Sequence, residues 1–271
     1  DGKDVKLTDG KYTFTLTADC VFSAEFRKKS TGAGTGGHRY ADAETNDPDP
    51  ILNGKTMSWS EIASDLSKLE ENSKVDIDLN GSEIIPAEVL KLIKDKKISA
   101  NLNITSYASW IIDGDRIKSD TAYADLSLPA GTSLLKGARG IAGYRFTTGG
   151  NNVDAKLRIK FKNEYAGKFA NLYFIKDGGA EFISTAGIAE DGYVTLSGAA
   201  EKGEYVVMLC DYSDLPGDVN NDGVLNALDA SAILNDIIGK TKCANALMAD
   251  FNIDGHISAK DASAILIHIV S

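Results

Sequence analysis

The chain has 271 residues, 29 Lys and Arg against 39 Asp and Glu, a formal charge of −10, 43% apolar and 25% charged residues, and 26 glycines. That is close to the globular average over roughly two domains' length, which excludes a collagen-like, wholly disordered or disulfide-scaffold chain. No apolar run approaches the roughly 18–20 residues of a membrane span, and an acidic chain whose Lys and Arg do not cluster repels polyanions, so neither a span nor nucleic-acid binding is expected.

Three cysteines, Cys20, Cys210 and Cys243, are too few and too scattered for a disulfide framework, and no CxxC or Cys/His cluster suggests zinc. Cys20 and Cys210 lie in apolar strand-like runs and read as small buried hydrophobes. The chain opens at Asp1 without the pattern of a signal segment, as a mature form or a piece of a longer protein would.

Residues 1–30 carry a hairpin signal: Tyr12, Phe14 and Leu16, then Phe22, Ala24 and Phe26, alternate with polar residues around Thr17-Ala18-Asp19. This segment resembles the closing hairpin of small β-grasp-like repeats. Residues 31–50, with TGAGTGG and ADAETNDPDP, are almost without apolar side chains and read as a linker or long loop.

From Ile51 the pattern turns to α plus β. Trp59, Ile62, Leu66 and Leu69 have helical spacing behind a Ser58–Glu61 capping box. Val75, Ile77 and Leu79 alternate as a strand, Asn80-Gly81 turns the chain, and Pro86 opens a helix with Val89, Leu90 and Ile93 inward. A strand over Ile98–Ile104 follows. Trp110-Ile-Ile, Asp113-Gly114 and Arg116-Ile117 read as a tight hairpin, because Asp-Gly supplies positive φ. From Ala155 short strands recur about every ten residues, at Leu157–Phe161, Leu172–Ile175, Phe182-Ile183, Tyr193–Leu196 and Tyr205–Leu209, with Gly178-Gly179, Asp191-Gly192 and Lys202-Gly203 between them. Residues 51–215 therefore read as a mainly β or α+β module of antiparallel sheets with two helices, whole or divided into 51–130 and 131–215.

The final segment, 216–271, contains an internal repeat. Asp218-Val-Asn220-Asn-Asp222-Gly223-Val224-Leu225-Asn226-Ala-Leu-Asp229 recurs 32 residues later as Asp250-Phe-Asn252-Ile-Asp254-Gly255-His256-Ile257-Ser258-Ala-Lys-Asp261, and each copy is followed by Ala-Ser-Ala-Ile-Leu. Both fit the calcium-loop template D-x-[DN]-x-[DN]-G with a ligand at position 12. Calcium takes six to eight hard oxygens, and short Asp and Asn side chains at positions 1, 3 and 5 of a tight loop can converge on it. Gly223 and Gly255 allow the bend. Position 7, Val224 or His256, contributes a backbone carbonyl, which leaves its side chain unconstrained; Asn226 and Ser258 occupy position 9, and Asp229 and Asp261 position 12. One such motif alone is as easily a solvated turn. Two in register largely remove that reading.

Position 12 is Asp, not Glu, and neither Tyr212–Gly217 nor Ala244–Ala249 builds an entering helix. Two loop–helix units of this kind resemble the type I dockerin family, and the resemblance implies a small all-α domain with two F-hand repeats. It also implies two Ca²⁺, binding to a cohesin domain of a scaffoldin or cell-surface protein, and a place in a secreted, cellulosome-like assembly. By the same resemblance the partner contacts fall at Ala227, Leu228, Leu234 and Asn235 in the first copy and at Ala259, Lys260, Leu266 and Ile267 in the second. The Leu228/Lys260 and Asn235/Ile267 differences count against two equivalent binding orientations. Residues 51–215 resemble, by position, the X-modules that precede some dockerins.

Between Gly217 and Ser271 seven Asp face three Lys, a net −4 that two Ca²⁺ would cancel. Leu225 and Ile257 are expected to join the loops, and Ile233, Ile237, Ile265 and Ile269 to form the small core. The chain is expected to be non-catalytic. The pairs Asp76/Asp78 and Asp113/Asp115 read as structural, and His38, His256 and His268 build no catalytic constellation. Carbohydrate binding by Trp59, Trp110, Tyr107 and Tyr123 is the second functional reading, although both Trp fall on apolar stripes.

Overall fold

The computed structural model describes residues 48–119, 121–128, 130–132 and 140–271. The 1–30 hairpin, residues 31–47 of the linker, Cys20 and His38 lie outside them.

After the short strands β1 (Ile51–Leu52) and β2 (Lys55–Thr56), α1 (Trp59–Lys68) starts at the capping box: the Ser58 hydroxyl accepts from the Glu61 N–H and the Glu61 carboxylate from the Ser58 N–H at 2.8 Å. β3 (Lys74–Asp78), β4 (Ile84–Ile85), α2 (Ala87–Asp95), β5 (Ser99–Thr105) and β6 (Ala108–Asp113) follow. Next come β7 (Ala124–Asp125), β8 (Ala130–Thr132), β9 (Ala142–Thr148), β10 (Gly150–Asn151) and β11 (Lys156–Lys160). The last strands are β12 (Phe169–Lys176), β13 (Gly179–Gly187), β14 (Tyr193–Leu196) and β15 (Gly203–Cys210), and the chain ends in α3 (Ala227–Ile237) and α4 (Ala259–Val270). Among the described residues, none of the four helices is long and apolar enough to cross a membrane.

The strands form three sheets: a seven-stranded one in the order β14-β11-β6-β5-β3-β1-β2, a three-stranded one, β10-β7-β4, and a five-stranded one, β13-β12-β15-β9-β8. The expectation of antiparallel sheets fails at one place. β3 and β5 run parallel, Val75 opposite Ala100 and Ile77 opposite Leu102, because α2 carries the chain back over the sheet between them. Strands from both sides of residue 130 pair in the seven-stranded sheet, β6 with β11 above all, so no sheet ends at that division.

The Asp113-Gly114 hairpin is a second correction. Gly114 lacks the positive φ of such a turn and opens a short 3-10 turn, and the hairpin is β5–β6, with Thr105 opposite Ala108. Gly114 is small for another reason: a Cβ there would lie 2.0 Å from the Ile93 carbonyl oxygen at the end of α2. The glycine serves close backbone approach.

One core joins the helices to both larger sheets. Ile62 and Leu66 of α1 and Val89, Leu90 and Ile93 of α2 are fully buried with Ile77, Leu102, Trp110, Leu157, Leu172 and Val207. Trp110 donates to the Leu126 carbonyl at 3.0 Å, and Trp59 packs against the core while its Nε1–H reaches Ser82 Oγ at 3.2 Å. Three of the four aspartates of the acidic pairs are engaged in bonds of the fold. Asp76 accepts from Asn101 at 2.7 Å, Asp78 holds the Asn80 N–H at 2.8 Å, and Asp113 joins Lys156 at 2.9 Å and Ser99 at 2.9 Å.

Lys156 and Asp113 are only 24% and 26% exposed. The Lys156 ammonium, aided by the Ser99 hydroxyl against the opposing effect of burial, holds the Asp113 carboxyl below its ordinary value. A carboxyl so lowered stabilises the fold above the ordinary carboxylate range, and that contribution is lost as pH falls through the lowered value. Lys156→Met is expected to lower stability at neutral pH by about 1 kcal/mol. In denaturation series the difference should vanish once Asp113 is protonated; a pH-independent difference would contradict the pairing.

Candidate functional site

The segment after β15 has its own small core. Val219, Ala230, Ile233, Ala249, Ala262 and Ile265 are buried together, so the duplicated Ala-Ser-Ala-Ile-Leu places one Ala and one Ile of each helix inward and its Leu outward. Two expected core residues are not in it: Ile237 and Ile269 are exposed, one turn beyond the buried Ile233 and Ile265. Leu225 packs at the edge of this core, but Ile257, its counterpart, is about half exposed and is not part of it.

The two loops before the helices repeat a common set of hydrogen bonds. At position 1 the Asp222 and Gly223 N–H groups donate to Asp218 at 3.0 and 2.9 Å, and those of Asp254 and Gly255 donate to Asp250 at the same distances. Position 3 is held by the N–H of position 5, on Asn220 at 3.0 Å and on Asn252 at 2.9 Å. Asp222 and Asp254 at position 5 accept from Val224 and His256 at 2.9 and 3.0 Å. Asn226 and Ser258 cap α3 and α4, accepting from Leu228 and Lys260, while Asp229 and Asp261 reach back to the N–H of Asn226 and Ser258 at 2.9 Å. Asp229 also accepts from Val219 and Asn220, and Asp261 from Asn252. Asp at position 12 thus doubles as the N3 member of a capping box, a task its short side chain fits.

These carboxylates are deep. Asp218, Asp229 and Asp261 are fully buried, and among the described residues none of the six loop aspartates has a Lys or Arg partner. Burial pushes the Asp229 carboxyl up, the charges of Asp218 and Asp222 adding to the rise against the N–H groups of Asn226 and Asn220. Asp261 is also desolvated, but its backbone hydrogen bonds from Ser258 and Asn252 outweigh that and leave it below its ordinary value. Buried like charges without a basic partner call for a cation, and all the side chains aimed at the loop centres offer hard oxygen. No three His, Cys, Asp or Glu side chains among the described residues form a metal-holding cluster by themselves, so a cation here needs the amide, hydroxyl and carbonyl oxygens of positions 3, 7 and 9 as well. The donor set fits calcium and not zinc.

Residues 216–270 match the family model of the dockerin type I domain. No curated protein and no solved structure matches the chain.

In the dockerin segment, Ala227, Leu228, Leu234, Ala259, Lys260, Leu266 and Ile267 are exposed and Asn235 is partly buried. Of the sixteen exposed large apolar side chains among the described residues, twelve lie in 216–271. Ile238, Leu247, Ile253 and Val270 are among them and were not expected from the sequence; reading which helix faces are left over once the core is filled would have found all but Ile253. The cysteines take no part: Cys210 is buried in β15, and burial, with the neighbouring Asp236, pushes the Cys243 thiol up to about 11.

Ile253, at position 4 of the second loop, has a left-handed φ of 58° and is 88% exposed, whereas position 4 of the first loop is Asn221, at φ 61°. A β-branched residue is strained there and Asn is not. Ile253→Asn should therefore stabilise the chain by about 1 kcal/mol, read as a higher thermal midpoint; an unchanged or lower midpoint would show that the strain is absent.

Proposed function

We propose that residues 216–270 are a calcium-dependent docking module that binds a cohesin domain of a scaffoldin or cell-surface protein, holding its parent protein in an extracellular, cellulosome-like assembly engaged in polysaccharide degradation. The observation that carries this is the pairing of two equivalent acidic loops with a surface dense in exposed apolar side chains. In this reading Asp218, Asn220, Asp222, the Val224 carbonyl, Asn226 and Asp229 hold one Ca²⁺, and Asp250, Asn252, Asp254, the His256 carbonyl, Ser258 and Asp261 hold the other. Each ion supplies the positive charge that the buried carboxylates lack. The partner lies on α3 and α4, over Ala227, Leu228, Leu234 and Asn235 or over Ala259, Lys260, Leu266 and Ile267, and most of the contact is apolar.

Residues 51–215 act, on this proposal, as a non-catalytic X-module-like brace. Support comes from Asp76, Asp78 and Asp113 of the acidic pairs, which are spent on hydrogen bonds and an ion pair of the fold. The carbohydrate-binding alternative has less support, since Trp110 is fully buried and Trp59 lies against the core.

The test is calorimetric titration of the full chain against a panel of cohesins, in calcium and then in chelator. Tight binding that is lost on chelation is expected, with Leu228→Asp or Ile267→Asp weakening it at least about tenfold, as for a buried apolar anchor. Absence of binding to every cohesin while both loops are loaded would overturn the assembly role, and retention of the chain on insoluble polysaccharide would put sugar recognition in its place.

A further inference from the structure

The two loops share most of their internal hydrogen bonds, the first adding those from Val219 to Asp229 and from Asn220 to Asp222, but they differ more in what stands behind them. Behind the first is the connector 211–215, clamped from both sides. On the sheet side, Asn171 of β12, itself fully buried, donates to the Tyr212 carbonyl at 3.1 Å and accepts from the Asp214 N–H at 3.0 Å, while the Thr185 hydroxyl donates to the same Asn171 oxygen at 2.6 Å. The Tyr173 hydroxyl meets the Asp214 carboxylate beside it. On the loop side, the Asn221 carbonyl oxygen accepts from the Ser213 N–H at 2.8 Å and its amide donates to the Asp211 carbonyl at 3.2 Å. Asn245 donates to the Ser213 carbonyl at 2.7 Å and to the Val219 carbonyl at 2.9 Å. Ser213 and Asn245 are buried, and a Cβ on Gly223 would lie 3.0 Å from the Phe169 ring at the start of β12.

Among the described residues, the second loop has no such polar backing. Ile253 stands at the place of Asn221, exposed and without a polar group to bond, and a Cβ on Gly255 would meet nothing within 4 Å.

We propose that β12 and the connector 211–215 are an outer support for the first calcium loop that the second loop lacks, so that the two sites differ in affinity and the first fills first. This rests on the calcium reading of the loops. The physical reason is preorganisation: a loop held by fully satisfied hydrogen bonds gives up less freedom on binding, and the groups behind a metal's ligands typically set its affinity by about 10–100-fold. Asn221 is then a positioning residue. It follows Asn220 and precedes Asp222 in the loop, yet its own side chain points away, to the connector.

The experiment follows the backbone amides of Gly223 and Gly255 by NMR in the full, glycine-labelled chain as Ca²⁺ is added to the metal-free protein. Each amide donates to the position 1 aspartate of its own loop and so reports that loop's occupancy. Gly223 should respond at lower calcium than Gly255. Asn221→Gly keeps the left-handed backbone and removes both bonds to the connector, and it should raise the Gly223 midpoint about tenfold with Gly255 unmoved. Tyr173→Phe, which removes only the hydroxyl at Asp214, should move Gly223 in the same direction by less. Ile253→Gly makes the same change at the same place in the second loop. Coincident midpoints in the parent chain, equal movement of both glycines in Asn221→Gly, or an equal rise of the Gly255 midpoint in Ile253→Gly would overturn the proposal while leaving two calcium sites. Failure of both amides to respond to calcium would instead remove the calcium reading itself, and the proposal with it.

Discussion

Everything in the C-terminal segment depends on one electrostatic constraint, the burial of acidic side chains without basic partners. Three of the six loop aspartates are fully buried, and among the described residues the compensation of the six comes mainly from backbone N–H groups, with uncharged side-chain donors of Ser258 and Asn220 beside them. Those dipoles orient the carboxylates and lower their desolvation cost, but they carry no net charge to balance them. The same bonds define the helix starts, since Asp229 and Asp261 close the capping boxes of α3 and α4. Site and local fold are therefore one arrangement. With a core of only a few Ala, Val and Ile side chains, little else holds the two helices together.

The upstream module enters through a polar joint and not an apolar one. Asn171, Asn221 and Asn245 each offer a donor and an acceptor on one planar group, and between them they bond the backbone of 211–214 on both edges. Buried polar networks of this kind contribute little net stability but select one geometry, because every alternative leaves a buried group unpaired. A short connector pinned in this way carries the orientation of a large sheet into a small domain.

Much of this was legible in the sequence, and unevenly. The α1 capping box, the α2 start at Pro86 and the strand runs from Leu157 to Leu209 were readable because local chemistry decides them. The duplicated loop was readable because its Asp, Asn and Gly residues recur at a fixed spacing, and the loop hydrogen bonds recur with it, although among the described residues the carboxylates alone make no cluster. What failed was decided at long range. The parallel pairing of β3 with β5 depends on where α2 packs, and Gly114 was taken for a turn glycine when its smallness answers to the Ile93 carbonyl from another element. Ile237 and Ile269 have the spacing of core residues, but the buried face of each helix stops one turn earlier, at Ile233 and Ile265. The asymmetry at position 4, Asn221 against Ile253, was visible in the aligned repeats; its meaning needed the connector.

Hydrogen–deuterium exchange on the full chain, in calcium and in excess chelator, tests the dependence of the C-terminal segment on a cation most directly. If buried, uncompensated carboxylates make its fold conditional on calcium, chelation will strip protection from the amides of 216–270 while β3, β5, β6 and β11 keep theirs. Protection in 216–270 that is indifferent to chelation would contradict it, because the aspartates would then be tolerated by the protein alone.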